Sequence, residues 1–243
     1  MSKFIETGHP RNVANLGKLI ETVDAFGASY NPSRTALTVA NLRVLETDAK
    51  AALDLVIDQV ASYDDAINKR HIAFADLKRK ASRIMAALKA SGTTDELLDD
   101  AKGFNRKIQG QRATKPPLPT DPNASPPTTV SVSQQSFDQL IQHLKGLIAI
   151  IKTEPNYAPN ETDLKVTSLD NYVADLLDKN NKVAIALAAI SSARIERDKL
   201  LYKKETGLYA IAQAVKLYVR SVFGTQSPEY RQVTSITFTN KKI

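Results

Sequence analysis

The sequence predicts an all-α protein, a tandem-duplicated helical bundle with long coiled-coil-like helices arranged about a pseudo-twofold and joined by a Pro-rich linker. Three observations predict it. The 243 residues include only 9 Gly and no Trp, and strong helix formers such as Ala, Leu and Lys are abundant. From Ser33 to Ser91 the chain holds neither Gly nor Pro. Finally, the pattern of the first half returns in the second half 127 residues later.

The repeat is clearest where Tyr30-Asn-Pro-Ser-Arg-Thr-Ala-Leu-Thr-Val-Ala-Asn-Leu42 aligns with Tyr157-Ala-Pro-Asn-Glu-Thr-Asp-Leu-Lys-Val-Thr-Ser-Leu169. Six of these thirteen positions are identical. The same offset pairs Asp48 with Asp175, Val56 with Val183 and Arg70 with Arg197. About five residues inserted in the second copy bring Gly92 opposite Gly224. Residues 1–108 are therefore read as a first helical repeat. Residues 109–135 form the linker, and 136–243 a second repeat with an extended basic tail. The linker holds Pro116, Pro117, Pro119, Pro122, Pro126 and Pro127 among Thr, Ser, Gln and Asn, the composition of a semi-rigid spacer.

Each repeat opens with an amphipathic helix. Its apolar face is Val13, Leu16, Leu19, Ile20, Val23 and Phe26 in the first copy, and Leu140, Leu144, Leu147, Ile148 and Ile151 in the second. A Pro-containing turn follows, with Ser33 and Asn160 as N-caps and Asp163 completing a capping box with Asn160. Apolar residues then recur at 3/4 spacing from Leu42 to Leu88, and again from Leu169 to Val222, with Arg70 and Arg197 on the seams. Two readings fit this stretch. One is a single long helix of ~57 residues, ~85 Å at 1.5 Å per residue. The other is a hairpin. The polar clusters Asp64-Asp65 and Asp178–Asn181 do not align between the copies, which favours the long helix. Thr206-Gly207 is a further break present only in the second copy. An Arg on a seam needs a carboxylate, and the duplicated acids Asp48 and Asp175 are the expected partners in structural ion pairs. After Gly224, alternation of Val233, Ser235 and Thr237 with Thr234, Ile236 and Phe238 predicts an extended segment. The first copy ends instead in a short helix from Asp95 to about Phe104.

Chemistry is sparse. Without Cys, disulfides, thiolate nucleophiles and Cys-held metals are excluded. His9, His71 and His143 have no ligand partner at helical spacing, and no Gly-rich phosphate loop or nucleophile elbow occurs. Neither a catalytic residue nor a metal site nor a cofactor is predicted, and an enzyme is not expected.

Charge is the better guide. Six of the seven net positive charges lie between Arg194 and Ile243. There Lys199, Lys203, Lys204, Lys216, Arg220 and Arg231 interleave with Tyr202, Tyr209, Tyr218 and Tyr230, a pattern suited to phosphates and stacked bases. Lys78, Arg79, Lys80 and Arg83 form a second basic cluster in the first copy.

The strings Gly207-Leu-Tyr-Ala-Ile-Ala, Val215-Lys-Leu-Tyr-Val-Arg-Ser-Val-Phe-Gly224 and Ser227-Pro-Glu-Tyr-Arg-Gln-Val233 resemble those of uncharacterised helical proteins from bacteria. That group has no known activity, so the resemblance implies no site and no cofactor.

The N-terminus lacks a signal-peptide apolar segment, and the longest apolar run, Val183 to Ile190, is far short of the ~20 residues of a membrane span. The cytoplasm is the expected compartment, with leaderless export left open. The expected function is a non-enzymatic helical scaffold or interaction protein with a protein partner or self-association. The alternatives are a nucleic-acid- or polyanion-binding protein and an α-helical membrane-active protein using the 183–190 run.

Overall fold

The computed structural model describes residues 8–111 and 135–241, and every regular element among them is helical. Most of the predicted Pro-rich linker, residues 112–134, lies outside the described residues. Eight α-helices follow one another: α1 (Gly8–Asp24), α2 (Val39–Ala75), α3 (Leu77–Ala90), α4 (Asp95–Gln109), α5 (Phe137–Thr153), α6 (Val166–Tyr202), α7 (Leu208–Phe223) and α8 (Pro228–Ser235). No helix among the described residues is long and apolar enough to cross a membrane.

The two halves match element by element. α1 and α5 each have 17 residues and bury the same register: Val13, Leu16, Leu19, Ile20 and Val23 in one, Ile141, Leu144, Leu147, Ile148 and Ile151 in the other. Each is followed by a 3₁₀ turn, Thr35–Leu37 or Thr162–Leu164. The turns are pinned alike: the Tyr30 hydroxyl donates to the Leu37 carbonyl at 2.7 Å, and Tyr157 to Leu164 at 3.1 Å. Burial of these phenols raises their pKa, that of Tyr157 to about 12. α2 and α6 each have 37 residues, ~55 Å of helix. α3 buries Leu77, Ala81, Ile84 and Leu88, and α7 buries Leu208, Ala212, Val215 and Val219 at identical spacing.

The compact units, however, are not the two halves of the chain. Unit 1 comprises residues 1–63 and 186–243, and unit 2 comprises residues 64–185. Each has its own core. In unit 1, α1 packs against α7 and α8, and α7 against the 35–37 turn. In unit 2, α5 packs against α3 and α4, and α3 against the 162–164 turn. Each core thus combines the first helix of one half with the last two of the other. α2 and α6 pass from one unit into the other.

Several local expectations are corrected. Both long helices run uninterrupted through Asp64-Asp65 and Asp178–Asn181, but neither reaches ~57 residues. Only Asp76 separates α2 from α3; its backbone stays in the α region (φ −90°, ψ −5°), and its carbonyl accepts from Lys80 N at 2.9 Å. α6 and α7 are separated by residues 203–207, where Glu205 adopts a left-handed φ of 69°. A Cβ on Gly207 would lie 2.5 Å from Lys203 N, so only glycine fits that close approach. The two halves therefore break at matching positions, after Ala75 and Tyr202, and the second connection is the longer. Ser33 and Asn160 do not cap the long helices, which begin only after the 3₁₀ turns. The Asp163 carboxylate faces Lys80 and Arg83 instead of completing a capping box. Val233 and Ser235 lie in α8, started by a Ser227 hydroxyl that accepts from Tyr230 N and by Pro228 in the first turn. Only residues 236–241 are non-helical, and they form no strand. α4 extends beyond Phe104 to Gln109.

Candidate functional site

The two seam arginines occupy matched positions but different surroundings. Arg197 is 2 % exposed, and its Nε and Nη2 donate to Asp198 Oδ1 at 2.9 and 2.7 Å. Lys241 Nζ adds a bond to Asp198 Oδ2 at 2.9 Å. Burial works to raise the Asp198 carboxyl, but the bonds from Lys241 and Arg197 outweigh it and hold the group below its ordinary value. Arg70 instead lies over the Phe137 ring, 4.0 Å from its centroid, and donates to Asn180 Oδ1 at 3.1 Å. His71 and Phe74 meet the same ring edge-on. The expected pairing with the duplicated acids is corrected. Asp48 is exposed on α2 and makes no ion pair among the described residues, and Asp175 is taken by Lys179 one turn on at 2.9 Å. These acids sit on the solvent side of their helices and cannot follow the arginines inward. His71 stands in unit 2 at the alignment position of Asp198, and Arg70 makes no ion pair among the described residues.

Around the α6–α7 break the basic residues of unit 1 converge on a groove of about 1040 Å³. Among the described residues four lysines line it, Lys199, Lys203, Lys204 and Lys241, with Glu205 the one acid. Lys199 is bonded to Glu196 at 2.7 Å and Lys241 to Asp198. Lys203 and Lys204 are exposed in the loop and make no ion pair among the described residues. The α7 wall is apolar and small, with Ala210, Ala214 and Leu217 beside Tyr209 and Gln213. Leu217 is 61 % exposed. Asn240 and Lys241 of the tail also line the groove.

That tail is held by α1. Asn12 grips Thr239 at two points, donating from Nδ2 to its carbonyl at 2.7 Å and accepting from its N–H at 2.9 Å. Asn15 Nδ2 donates to the Thr237 carbonyl at 2.8 Å. Asn12 also reaches the Tyr202 hydroxyl, which lies 2.8 Å from His9 Nδ1. Lys216 donates to the Ile236 carbonyl and lies over the Phe238 ring; burial lowers its pKa.

Of the six polyanion candidates, the structure brings together Lys199, Lys203 and Lys204. Lys216 is committed to the tail, and Arg220 and Arg231 are exposed on α7 and α8 without lining the groove. The sequence reading missed Lys241 and the apolar wall. The wall had a signal: residues 210, 214 and 217 form a second i, i+4, i+7 stripe beside the buried one.

The contrast with the other basic cluster is sharp. Arg79 Nε donates to Asp76, and Lys80 and Arg83 both face Asp163, with Arg83 Nη2 at 3.0 Å. Hydrogen bonds from Arg83, reinforced by Lys80, hold the Asp163 carboxyl below the usual range despite its partial desolvation. Lys78 donates to the Gln109 carbonyl at 3.3 Å. These cations are used internally.

No group of three or more His, Asp or Glu side chains among the described residues is placed to hold a metal ion. The chain matches no family model, no curated protein and no solved structure.

Proposed function

We propose that this chain is a non-enzymatic helical interaction protein that receives an anionic partner at the basic end of unit 1. The observation that carries this reading is the pair Lys203 and Lys204, exposed and without ion pairs among the described residues, at the mouth of a groove with four lysines. Unpaired, exposed ammonium groups keep their attraction for an incoming anion, whereas the Lys80 ammonium and the Arg83 guanidinium are already paired with Asp163. Salt-sensitive retention on a heparin column tests it. The wild-type protein is expected to bind at low salt, and Lys203→Glu with Lys204→Glu to elute much earlier. Equal elution of the two proteins would defeat the reading.

The same proposal includes the scaffold. The 127-residue offset, the two 37-residue helices and the matched packing pairs support a tandem duplication with approximate twofold organisation, in which the copies exchange their ends. Exposed Leu55, Ile57 and Ile72 on α2, and Ile185, Leu187 and Ile195 on α6, support self-association through the long helices. Light scattering across a concentration series tests this part: a rising mass is expected, and a monomer throughout contradicts it. In the 183–190 run Ile185 and Leu187 are the exposed large apolar residues, whereas Val183 and Ile190 are buried.

A further inference from the structure

In unit 2 one edge of the face that matches the groove meets the end of α4, while Arg79, Arg83 and Ala86 stand where the α7 wall has Ala210, Ala214 and Leu217. Aligning the buried residues of α3 with those of α7 places Lys78 opposite Tyr209 and Ser82 opposite Gln213. Tyr209 and Gln213 line the open groove. Lys78 and Ser82 are exposed on α3 and hydrogen-bond the last residue of α4. Gln109 Nε2 donates to the Lys78 carbonyl at 2.9 Å and to the Ser82 hydroxyl at 3.1 Å, and the Gln109 carbonyl accepts from Lys78 Nζ. α4 reaches this face because it has 15 residues. Its counterpart α8 has 8, and the chain beyond it departs along α1, held by Asn15 and Asn12.

We propose that the unit 1 groove docks an acidic amphipathic helix of a partner protein, its C-terminus beside Lys203 and Lys204 as the C-terminus of α4 lies beside Lys78 in unit 2. Three features select that occupant. The apolar residues of the α7 wall, Ala210, Ala214 and Leu217, repeat at i, i+4 and i+7, the period a docked helix reads, and two of them are small enough for close approach. A helix C-terminus carries unsatisfied carbonyls and a partial negative charge, which Lys78 already meets in unit 2 and which Lys203 and Lys204 would meet here. Acidic side chains on the flanks of the helix would complement Lys199 and Lys241 at the rim. Nucleic acid fits less well. One ring face of Tyr202 is engaged by His9 at 5.5 Å and its hydroxyl is bonded, which leaves Tyr209 as the stacking platform in the groove.

The inference rests on the anionic-partner reading, and the test separates the two. The probe is a fluorescein-labelled 18-residue helix with Leu and Ala at i, i+3, i+4 and i+7 and Glu on the flanks. It is titrated by anisotropy against full-length protein, beside the same peptide with Lys in place of Glu and a labelled oligo-dT of equal length. Saturable binding of the acidic peptide alone is expected, weakened at least tenfold by Leu217→Glu and by Ala214→Trp. Leu217 is exposed, so that variant keeps the fold if the bulkier Trp does not. If the acidic peptide fails to bind, or binds the variants equally, the helix-docking inference falls. Heparin retention that still depends on Lys203 and Lys204 would then leave the anionic-partner reading standing. Tighter binding of oligo-dT than of the peptide overturns docking in favour of nucleic acid.

Discussion

Unit 1 and unit 2 use the same kit of helices to different ends. Unit 2 closes on itself. α4 runs its full length over α3 and α5, Phe104 lies so close to α5 that a Cβ on Gly146 would run into its ring, and every cation of the 78–83 cluster has an internal partner. Unit 1 stops short: α8 ends after two turns, the tail is hung on two asparagines, and the five-residue α6–α7 connection puts lysines where unit 2 has only Asp76. Two halves that match in their other helices thus differ in one connection and one helix length, and with them in the surface they present. Charge alone marks no site; what matters is whether the fold has already used it.

The largest expected difference concerns the seam arginines. Arg197→Met leaves the Asp198 carboxylate with Lys241 and without its buried partner, and should cost about 3 kcal/mol in chemical denaturation. Arg70→Met removes a cation–π contact and one hydrogen bond to a neutral group, and should cost about 1 kcal/mol. Equal losses would mean that the two surroundings are energetically the same. Next comes Gly146→Ala, which pushes the Phe104 ring away and should cost about 1–2 kcal/mol, as overpacking does. Lys18, at the matching position of α1, is exposed, and Lys18→Ala should change stability by less than about 0.5 kcal/mol.

A smaller effect sharpens the comparison at the helix starts. Thr94→Ala and Ser227→Ala each remove a side-chain cap and should each cost about 1 kcal/mol. The loss at Ser227 should also speed amide exchange in the tail, because α8 leads directly into it. The smallest effect is pH-dependent. The folded Asp198 carboxyl is held below the ordinary ~3.9. Its contribution is therefore fully present above that value and is lost as pH falls through the lowered folded value. The melting-temperature gap between wild type and Asp198→Asn should be widest near pH 6 and narrow below about pH 4. A gap independent of pH would show that the carboxylate bonds do not matter.

Much of this organisation could be read from residues alone. The ungapped match around Tyr30 and Tyr157 anticipated turns of one geometry, and the Gly/Pro-free stretches anticipated helices that ignore Asp64-Asp65 and Asp178–Asn181. The break at Asp76 was hidden because no residue there forbids helix, whereas Gly207 marked the other. α8 was misread as extended because two-residue alternation over a short window outweighed the Ser227-Pro228-Glu229 start signal. The ion pairs differ from expectation because a shared spacing reports which positions match, and Arg197 bonds a neighbouring carboxylate where the other half has His71. In the same way, counting lysines could not separate Lys203 and Lys204 from Lys216, whose ammonium group holds the tail.

The central claim is that the free cations of unit 1, and not the spent cations of unit 2, meet the anionic partner. Heparin elution of two double variants tests it most directly. Lys203→Glu with Lys204→Glu should lower the eluting salt concentration well beyond Lys78→Glu with Arg79→Glu, although both change the net charge equally. Equal shifts for the two pairs, or a larger shift for the unit 2 pair, would contradict it.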